Sequence, residues 1–386
     1  MQGVRRLSCF LIVRPHRRGR THEEPDQRIQ GTDSFRENTM KTLRVGVIGL
    51  GMGRGHVRGF QAHPNAEVVA VADPDESRCE YIRNEYNVPT AYASGEEMLQ
   101  KEKLDVVSIA TPNKFHKPLT IAALKAGCHV LCEKPMAMNA REAKQMIDAA
   151  KKAKKRLMIN FSYRFTQQSH ALKKQVDTGI LGDVYFGRTV WHRRRGMPGF
   201  GGWFGTKALS GGGPLIDLGV HRLDLALWLM GYPKPEWVMG AAYDPIATEL
   251  AKREKKTYDV EDLAAGFIKF ENGATLEVEA SWAANIEDNE HMETRLFGTK
   301  GGLVQRNVNG AYEFEAELYI EREGCQYDMK LHPPVPEVQG AMGHFADAIL
   351  TNTPHIATAE EGLIVMELLD AIYKSAKDGK PIRIKR

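Results

Sequence analysis

Residues 43–56 read LRVGVIGLGMGRGH. The apolar, β-branched run 43–49 breaks into glycines at 49, 51, 53 and 55. Such a run is expected to be a buried parallel strand. Glycines placed directly after it let backbone N–H groups approach a pyrophosphate at the positive end of the next helix, expected over about 54–63. Gly49, Gly51, Met52 and Gly53 are the candidate phosphate-loop residues. The pattern G-x-G-x-x-G is met imperfectly, because its sixth position is Arg54. EVVAVAD (67–73) reads as the second strand, and Asp73 ends it where an acid would accept hydrogen bonds from ribose hydroxyls. An acid there repels a 2′-phosphate and favours NAD over NADP, while nearby Arg78 leaves NADP open. A helix cap ahead of Pro74 is the other reading of Asp73.

Outward from this segment, strand and helix alternate. A helix is expected over about 75–86, a strand at LDVVSIAT (104–111), a helix over 116–126, a strand in HVLCEKP (129–135), a helix capped by Asn139, and a strand at LMINFS (157–162). That alternation predicts a doubly wound parallel sheet. Beyond about residue 162 the texture changes to long alternating strands with glycine-supplied turns, such as ENG (271–273). The expected fold class is therefore an α/β Rossmann-type dinucleotide-binding domain followed by an α+β domain with a mostly antiparallel open sheet. The expected division is a disordered leader or upstream start (1–40), the dinucleotide domain (41–162) and a substrate-binding and oligomerisation domain (163–386).

The chain has 386 residues, 26% of them charged, and a net charge of +4. Much of that excess lies in the leader, where residues 1–39 hold eight arginines against five acidic residues. A body this close to neutral argues against a nucleic-acid partner. No apolar stretch approaches the ~20 residues of a membrane helix. MQGVRRLSCFLIVRPHRRGR (1–20) has the outline of a twin-arginine export signal, but more arginines follow its short apolar run and no small-residue cleavage site appears. Five cysteines, without a C-x-x-C pair, fit a reducing cytoplasm and no metal site.

GGGPLIDLGVHRLD (211–224) carries the second signal. Pro214 suits the start of a helix and Gly231 its end. At helical spacing Asp217, His221 and Asp224 share one face. Three polar groups on an otherwise apolar helix are costly to bury uncompensated. A pocket explains them; so does a core in which His221 is satisfied and Asp224 pairs with Arg222 or another base.

Four segments together resemble the glucose–fructose oxidoreductase / inositol dehydrogenase / rhizopine catabolism (Gfo/Idh/MocA) family: AGCHVLCEKPMA (126–137), GGGPLIDLGVHRLDLALWLMG (211–231), ATPNKFH (110–116) and GTKGGL (298–303). The resemblance covers roughly 41–386. It implies a nicotinamide-dependent dehydrogenase of sugars or polyols, often a homodimer or homotetramer, with Lys134, Asp217 and His221 as the catalytic set. It further implies that Glu133 and Lys134 lie beside the nicotinamide, and that Ala110, Thr111, Pro112, Asn113 and His116 line the cofactor cleft. Asn160, Tyr163 and Arg164 would begin the substrate side, together with Lys134, Asp217 and His221.

The mechanism expected from these residues has His221 taking the hydroxyl proton as hydride leaves, Asp217 or a backbone group orienting His221, and Lys134 stabilising the developing alkoxide. Trp191, His192, Arg193, Arg194, Arg195, Phe200 and Trp203 supply aromatic and cationic groups for a sugar ring, or else an ordinary solvated loop. Two other functions share the same residues or fold: an NAD-dependent glycosidase using transient oxidation, and a non-catalytic NAD-binding regulator.

Overall fold

In the computed structural model, which describes residues 41–384, the opening run forms β1 (Leu43–Ile48) and passes through Gly49 directly into α1 (Leu50–Gln61). The helix begins four residues earlier than the sequence suggests, because the glycine-rich stretch is itself its first turn. Gly49 has a φ of 86°, and a Cβ there would lie 2.6 Å from the Ala110 carbonyl oxygen. A side chain is thus excluded by both conformation and space.

The alternation continues through β2 (Ala66–Ala72), α2 (Glu76–Tyr86), β3 (Thr90–Tyr92), α3 (Gly95–Lys101), β4 (Val106–Ile109), α4 (His116–Lys125), β5 (His129–Glu133), α5 (Ala140–Ala153) and β6 (Leu157–Asn160). Strand β3 is three residues long, too short for alternation to register in the sequence. The strands form one parallel sheet in the order β3-β2-β1-β4-β5-β6. Connections leave β1 in opposite directions, so the ends of β1 and β4 flank a crevice at the switch point, where such sheets bind ligands. Val45, Val47, Val106, Val107, Val130 and Leu131 are buried, as expected for strands covered on both faces.

The second part contains α6 (Gln167–Val176), β7 (Val184–Arg193), α7 (Lys207–Ser210), a π-helical turn (Leu215–Gly219) and α8 (Val220–Leu229). It continues with β8 (Pro235–Tyr243), α9 (Pro245–Glu254), β9 (Leu263–Phe270), β10 (Thr275–Ser281), β11 (Glu290–Gly298), β12 (Gly301–Asn307), β13 (Phe314–Arg322) and β14 (Cys325–Lys330). Helices α10 (Ala341–Leu350) and α11 (Ala359–Asp378) and strand β15 (Ile382–Arg383) end the described chain. Nine strands form an open sheet in the order β14-β13-β12-β11-β7-β10-β9-β8-β15, antiparallel except for the β7–β10 pair.

The C-terminal helices return to the first sheet. Helix α11 packs on α5 and on β8, so it is shared by the two sheets. Ahead of it, Ile159 N donates to Ala357 O (3.0 Å), and Met158 pairs with Thr358, which covers the free edge of β6. Thr358 and Glu361 close the start of α11 as a capping box. No helix of the described residues is long and apolar enough to cross a membrane.

Candidate active site

At the switch point α1 starts directly after β1, and of its first N–H groups Gly49 N donates to Ala72 O (2.8 Å) and Leu50 N to Asp73 Oδ2 (2.7 Å), while Asp75 N donates to Asp73 Oδ1 (2.9 Å). Asp73 does not cap α2; Asp75 does, accepting from Ser77 N and Arg78 N. The buried Asp73 carboxylate therefore stands braced by backbone, with lone pairs left over for further donors. Gly53 keeps α1 close to β1, since a Cβ there would touch Val47, and Met52 is exposed at the start of the helix. Across the crevice, Ala110, Thr111 and Pro112 follow β4, and the buried Thr111 Oγ1 has no partner. A cradle that excludes Cβ at Gly49, a helix N-terminus directly after β1, a braced acid and an orphaned hydroxyl fit a dinucleotide.

Two residues expected to line this cleft are struts instead. His116 is fully buried, its ring nitrogens 2.8 Å from the carbonyls of Pro135 and Thr111, so it ties the loops after β4 and β5 together. Asn113 Nδ2 donates to Ser210 O (2.7 Å) and joins the cofactor side to the segment before the π-helical turn.

At the end of β5, Glu133 Oε1 lies 2.7 Å from His56 Nε2 and accepts from Asn160 Nδ2 (2.6 Å). His56 Nδ1 is 2.7 Å from Ser108 Oγ. Burial opposes the charge on Glu133, but His56, Lys134 and Asn160 outweigh it and hold the carboxyl below its ordinary range. Asn160 Oδ1 remains buried and unpartnered at this spot. His56 was not singled out in the sequence; its signal is a histidine on the buried face of α1, aligned with Gly53, Val57 and Phe60.

Lys134 follows, its peptide to Pro135 cis. Its Nζ donates to Asp217 Oδ1 and to Asp217 O, both at 2.9 Å. Asp217 Oδ2 accepts from Trp282 Nε1 (3.1 Å). The Asp217 carboxylate is thus committed to Lys134 and Trp282, so of the two expected ways of orienting His221, Asp217 or a backbone group, the first is not the one used. The π-helical turn places Asp217 toward Lys134 while α8 begins beyond it; such turns recur at functional sites. His221 is held by rings: Tyr163 edge-on at 5.1 Å and Trp191 at 5.5 Å. Its Nδ1 is buried without a partner. Burial, then Lys134, Arg222 and Arg193, drive its pKa well below the ordinary histidine value, so the imidazole is neutral near pH 7.

The chain before the π-helical turn is clamped from outside the motif. Glu261 Oε2 accepts from Gly213 N (2.9 Å), and Oε1 accepts from Leu215 N (3.2 Å) and Tyr373 Oη (2.8 Å). A Cβ on Gly212 would lie 2.2 Å from Tyr373 Oη, and one on Gly213 would lie 2.1 Å from Glu261 O. Gly212 and Gly213 are thereby explained by close approach, and Gly211 by its φ of 87°. The next residue, Asp262, accepts Trp282 N at its carbonyl (3.0 Å). Residues 261–262 consequently brace Asp217 twice, through the helix start and through Trp282. Sequence reading missed Glu261, Tyr373 and Trp282; a buried indole N–H that needs an acceptor is the one local hint.

Arg164 departs from its expected place on the substrate side, and Asp224 takes the reading in which it pairs with a base, here Arg164. Arg164 is fully buried, with Nε and Nη2 on Asp224 (2.9 and 2.6 Å) and Nη1 on Glu361 (2.8 Å), so it has no face for substrate. Asp224 belongs to that ion cluster and leaves the Asp217–His221 side of the helix. Tyr163 directs its hydroxyl to Met292 Sδ (3.5 Å) and forms a wall. In the 191–203 stretch, Arg193 Nε (2.8 Å) and Trp191 Nε1 (2.6 Å) both bind Glu290 Oε1, and Arg195 binds Asn285. Trp203 stacks on Phe204 (3.8 Å), whose ring meets Trp282 edge-on (6.3 Å).

Comparison with known proteins places the chain in a family. Residues 43–161 match the oxidoreductase family with an NAD-binding Rossmann fold, and 169–304 match the GFO/IDH/MocA C-terminal domain. The chain is 34% identical over 355 residues to D-glucoside 3-dehydrogenase of Escherichia coli (strain K12), covering 90% of this chain and 99% of that protein. It is 29% identical over 343 residues to myo-inositol 2-dehydrogenase of Thermotoga maritima, covering 89% and 98%. Among solved structures, the aldose-aldose oxidoreductase from Caulobacter crescentus complexed with glycerol superposes with a TM-score of 0.76 at 26% identity, covering 89% of this chain and 100% of that one.

Proposed function

The chain belongs to the GFO/IDH/MocA family of NAD-binding oxidoreductases acting on CH–OH groups, and on that premise we propose that its substrate is a secondary alcohol of a sugar, inositol or related polyol. The observation that carries the reading is the bond of Lys134 to Asp217 at the carboxyl end of β5, with the Lys134 charge acting on His221. A bound nicotinamide supplies the hydride acceptor. Residues 41–162 hold the cofactor, with Gly49, Gly51, Met52, Gly53 and Asp73 at the dinucleotide and Glu133 and Asn160 near the reactive end. Residues 163–386 supply substrate contacts and, through the uncovered face of the open sheet, the contacts of a homodimer or homotetramer, which a sizing column tests. NAD is favoured over NADP because Asp73 is braced, while Arg78 is drawn to acids: its Nε is 3.1 Å from Asp75 Oδ2 and its Nη1 3.9 Å from Asp73 Oδ2. The buried free thiols Cys79, Cys128 and Cys132 accord with a cytoplasmic location.

An ammonium has three N–H donors. Two of those on Lys134 are held by Asp217, and the third is free to meet a developing alkoxide. Asp217 fixes the direction of that donor, and Trp282 fixes Asp217. His221, held neutral, takes the hydroxyl proton. Purified protein assayed with NAD and NADP against inositols, sugars, uronic acids and glycosides tests the reading by reduced-nicotinamide absorbance. A signal absent in Lys134→Ala supports it. Cleavage of a nitrophenyl glycoside without net cofactor reduction would replace it with the glycosidase function.

A further inference from the structure

We propose that Arg222 is a positioning residue for His221: a buried cation without a carboxylate partner, caged by aromatic rings beside the imidazole, whose charge keeps that imidazole in its neutral, proton-accepting form. The inference rests on the proton-accepting role proposed for His221.

Arg222 is fully buried. Its Nη1 donates to Gln305 Oε1 (3.2 Å), while Nε and Nη2 are buried without a hydrogen-bond partner. The guanidinium lies over Tyr163 (4.6 Å), Phe314 (5.1 Å) and Trp191 (5.6 Å). Two of these rings, Tyr163 and Trp191, are the rings that flank His221. Among the described residues, no carboxylate lies within ion-pairing distance of Arg222. An apolar side chain would fill an aromatic cage without the desolvation of a charge. The cation–π contacts offset part of that cost, yet they do not neutralise the field as a carboxylate would.

The groups facing His221 sharpen the point. Lys134 approaches from the end of β5, Arg193 from β7 and Arg222 from α8. Asp217 answers Lys134, and Glu290 on β11 answers Arg193 while also binding Trp191 and Tyr312. The phenols of Tyr163 and Tyr312 remain protonated, since burial pushes Tyr163 up to about 12 and also raises Tyr312. Arg222 alone of the three cations has no carboxylate at ion-pairing distance among the described residues; Glu290, which pairs with Arg193, supports it only through space. Burial lowers its own pKa to about 10, which still leaves it charged at neutral pH. A positive charge without a paired carboxylate, one residue along the helix, disfavours a second charge on the imidazole. It also returns the proton readily once His221 has taken it.

The test uses the full chain labelled with ¹⁵N-histidine, and follows the His221 ring by NMR, with His221→Asn giving the assignment. Arg222→Gln is expected to raise the His221 titration midpoint by about one unit. The acid limb of kcat/KM should move upward by the same amount, so activity is lost at the acidic end. Arg222→Lys keeps the charge and is expected to leave the midpoint near that of the parent. Both variants lose the stacked guanidinium and should melt earlier, so stability follows shape while the titration follows charge. A Gln variant that titrates like the parent, or a Lys variant that shifts as far as Gln, overturns the proposal. Arg222→Met makes the same measurement if Gln does not fold. Turnover surviving in His221→Ala would defeat the role of His221 itself, and the NMR midpoint distinguishes that failure from this one.

Discussion

Two arginines lie buried on either side of helix α8, and they are treated in opposite ways. Arg164 has a fork of hydrogen bonds to Asp224, a further bond to Glu361 and a contact with the Tyr232 hydroxyl. Burial opposes its charge, but these partners overcome burial and raise its pKa. Arg222 is equally inaccessible, yet it has rings where Arg164 has carboxylates, and its pKa falls. The same side chain at the same depth thus serves two ends. On the Arg164 side, charge is cancelled to fasten 161–165, α8 and α11 together. On the Arg222 side, charge has no paired carboxylate and sits among the rings that flank His221.

The largest expected effects lie on the Arg222 side. Lys134→Ala and His221→Ala should each lower kcat by roughly 10²-fold or more, with melting temperatures close to the parent. A loss of folding instead of turnover would erase the contrast between the two sides. Next comes Asp224→Ala, which strands Arg164 and should remove about 3–5 kcal/mol of stability, read from the urea midpoint. Turnover per folded molecule should survive; an equal fall in kcat would make Arg164 part of the reacting site. Glu261→Gln is expected to cost about 1–3 kcal/mol and Tyr373→Phe about 1 kcal/mol, and in both kcat should fall more than KM changes, because the clamp acts on Lys134 through Asp217. The smallest effect is a matter of pH. Since the His221 pKa lies below the ordinary 6.5, kcat/KM should stay level through that value and decline only at lower pH. A decline centred at 6.5 or above would mean that the cations do not act on the imidazole.

How much of this was legible in the sequence depends on the range of each interaction. The first sheet is written in local runs such as 43–49 and 67–73, where a strand and its glycine turn lie side by side in the chain. The meeting of Lys134 with Asp217 was implied by the family resemblance, although 83 residues separate them. What Asp217 does there was not legible, because helical spacing shows which residues share a face but not that a π-helical turn twists one of them toward a lysine. Arg164 and Asp224 illustrate the same limit: 60 residues apart, they reveal their pairing only when segment 161–165 packs on α8. Glu261 and Tyr373 carry no local signature. They serve the site by occupying the space that Gly212 and Gly213 leave empty, a complementarity visible only in three dimensions.

The backbone bond from Ile159 to Ala357 has a consequence for how the protein is made. Strand β6 leaves the ribosome roughly 200 residues before its covering segment does, which at ~5–20 residues per second is a delay of about 10–40 s. During that interval the parallel sheet is nearly complete but offers an open strand edge to any neighbouring nascent chain. The residues that cover this edge are thus synthesised only long after the sheet they protect.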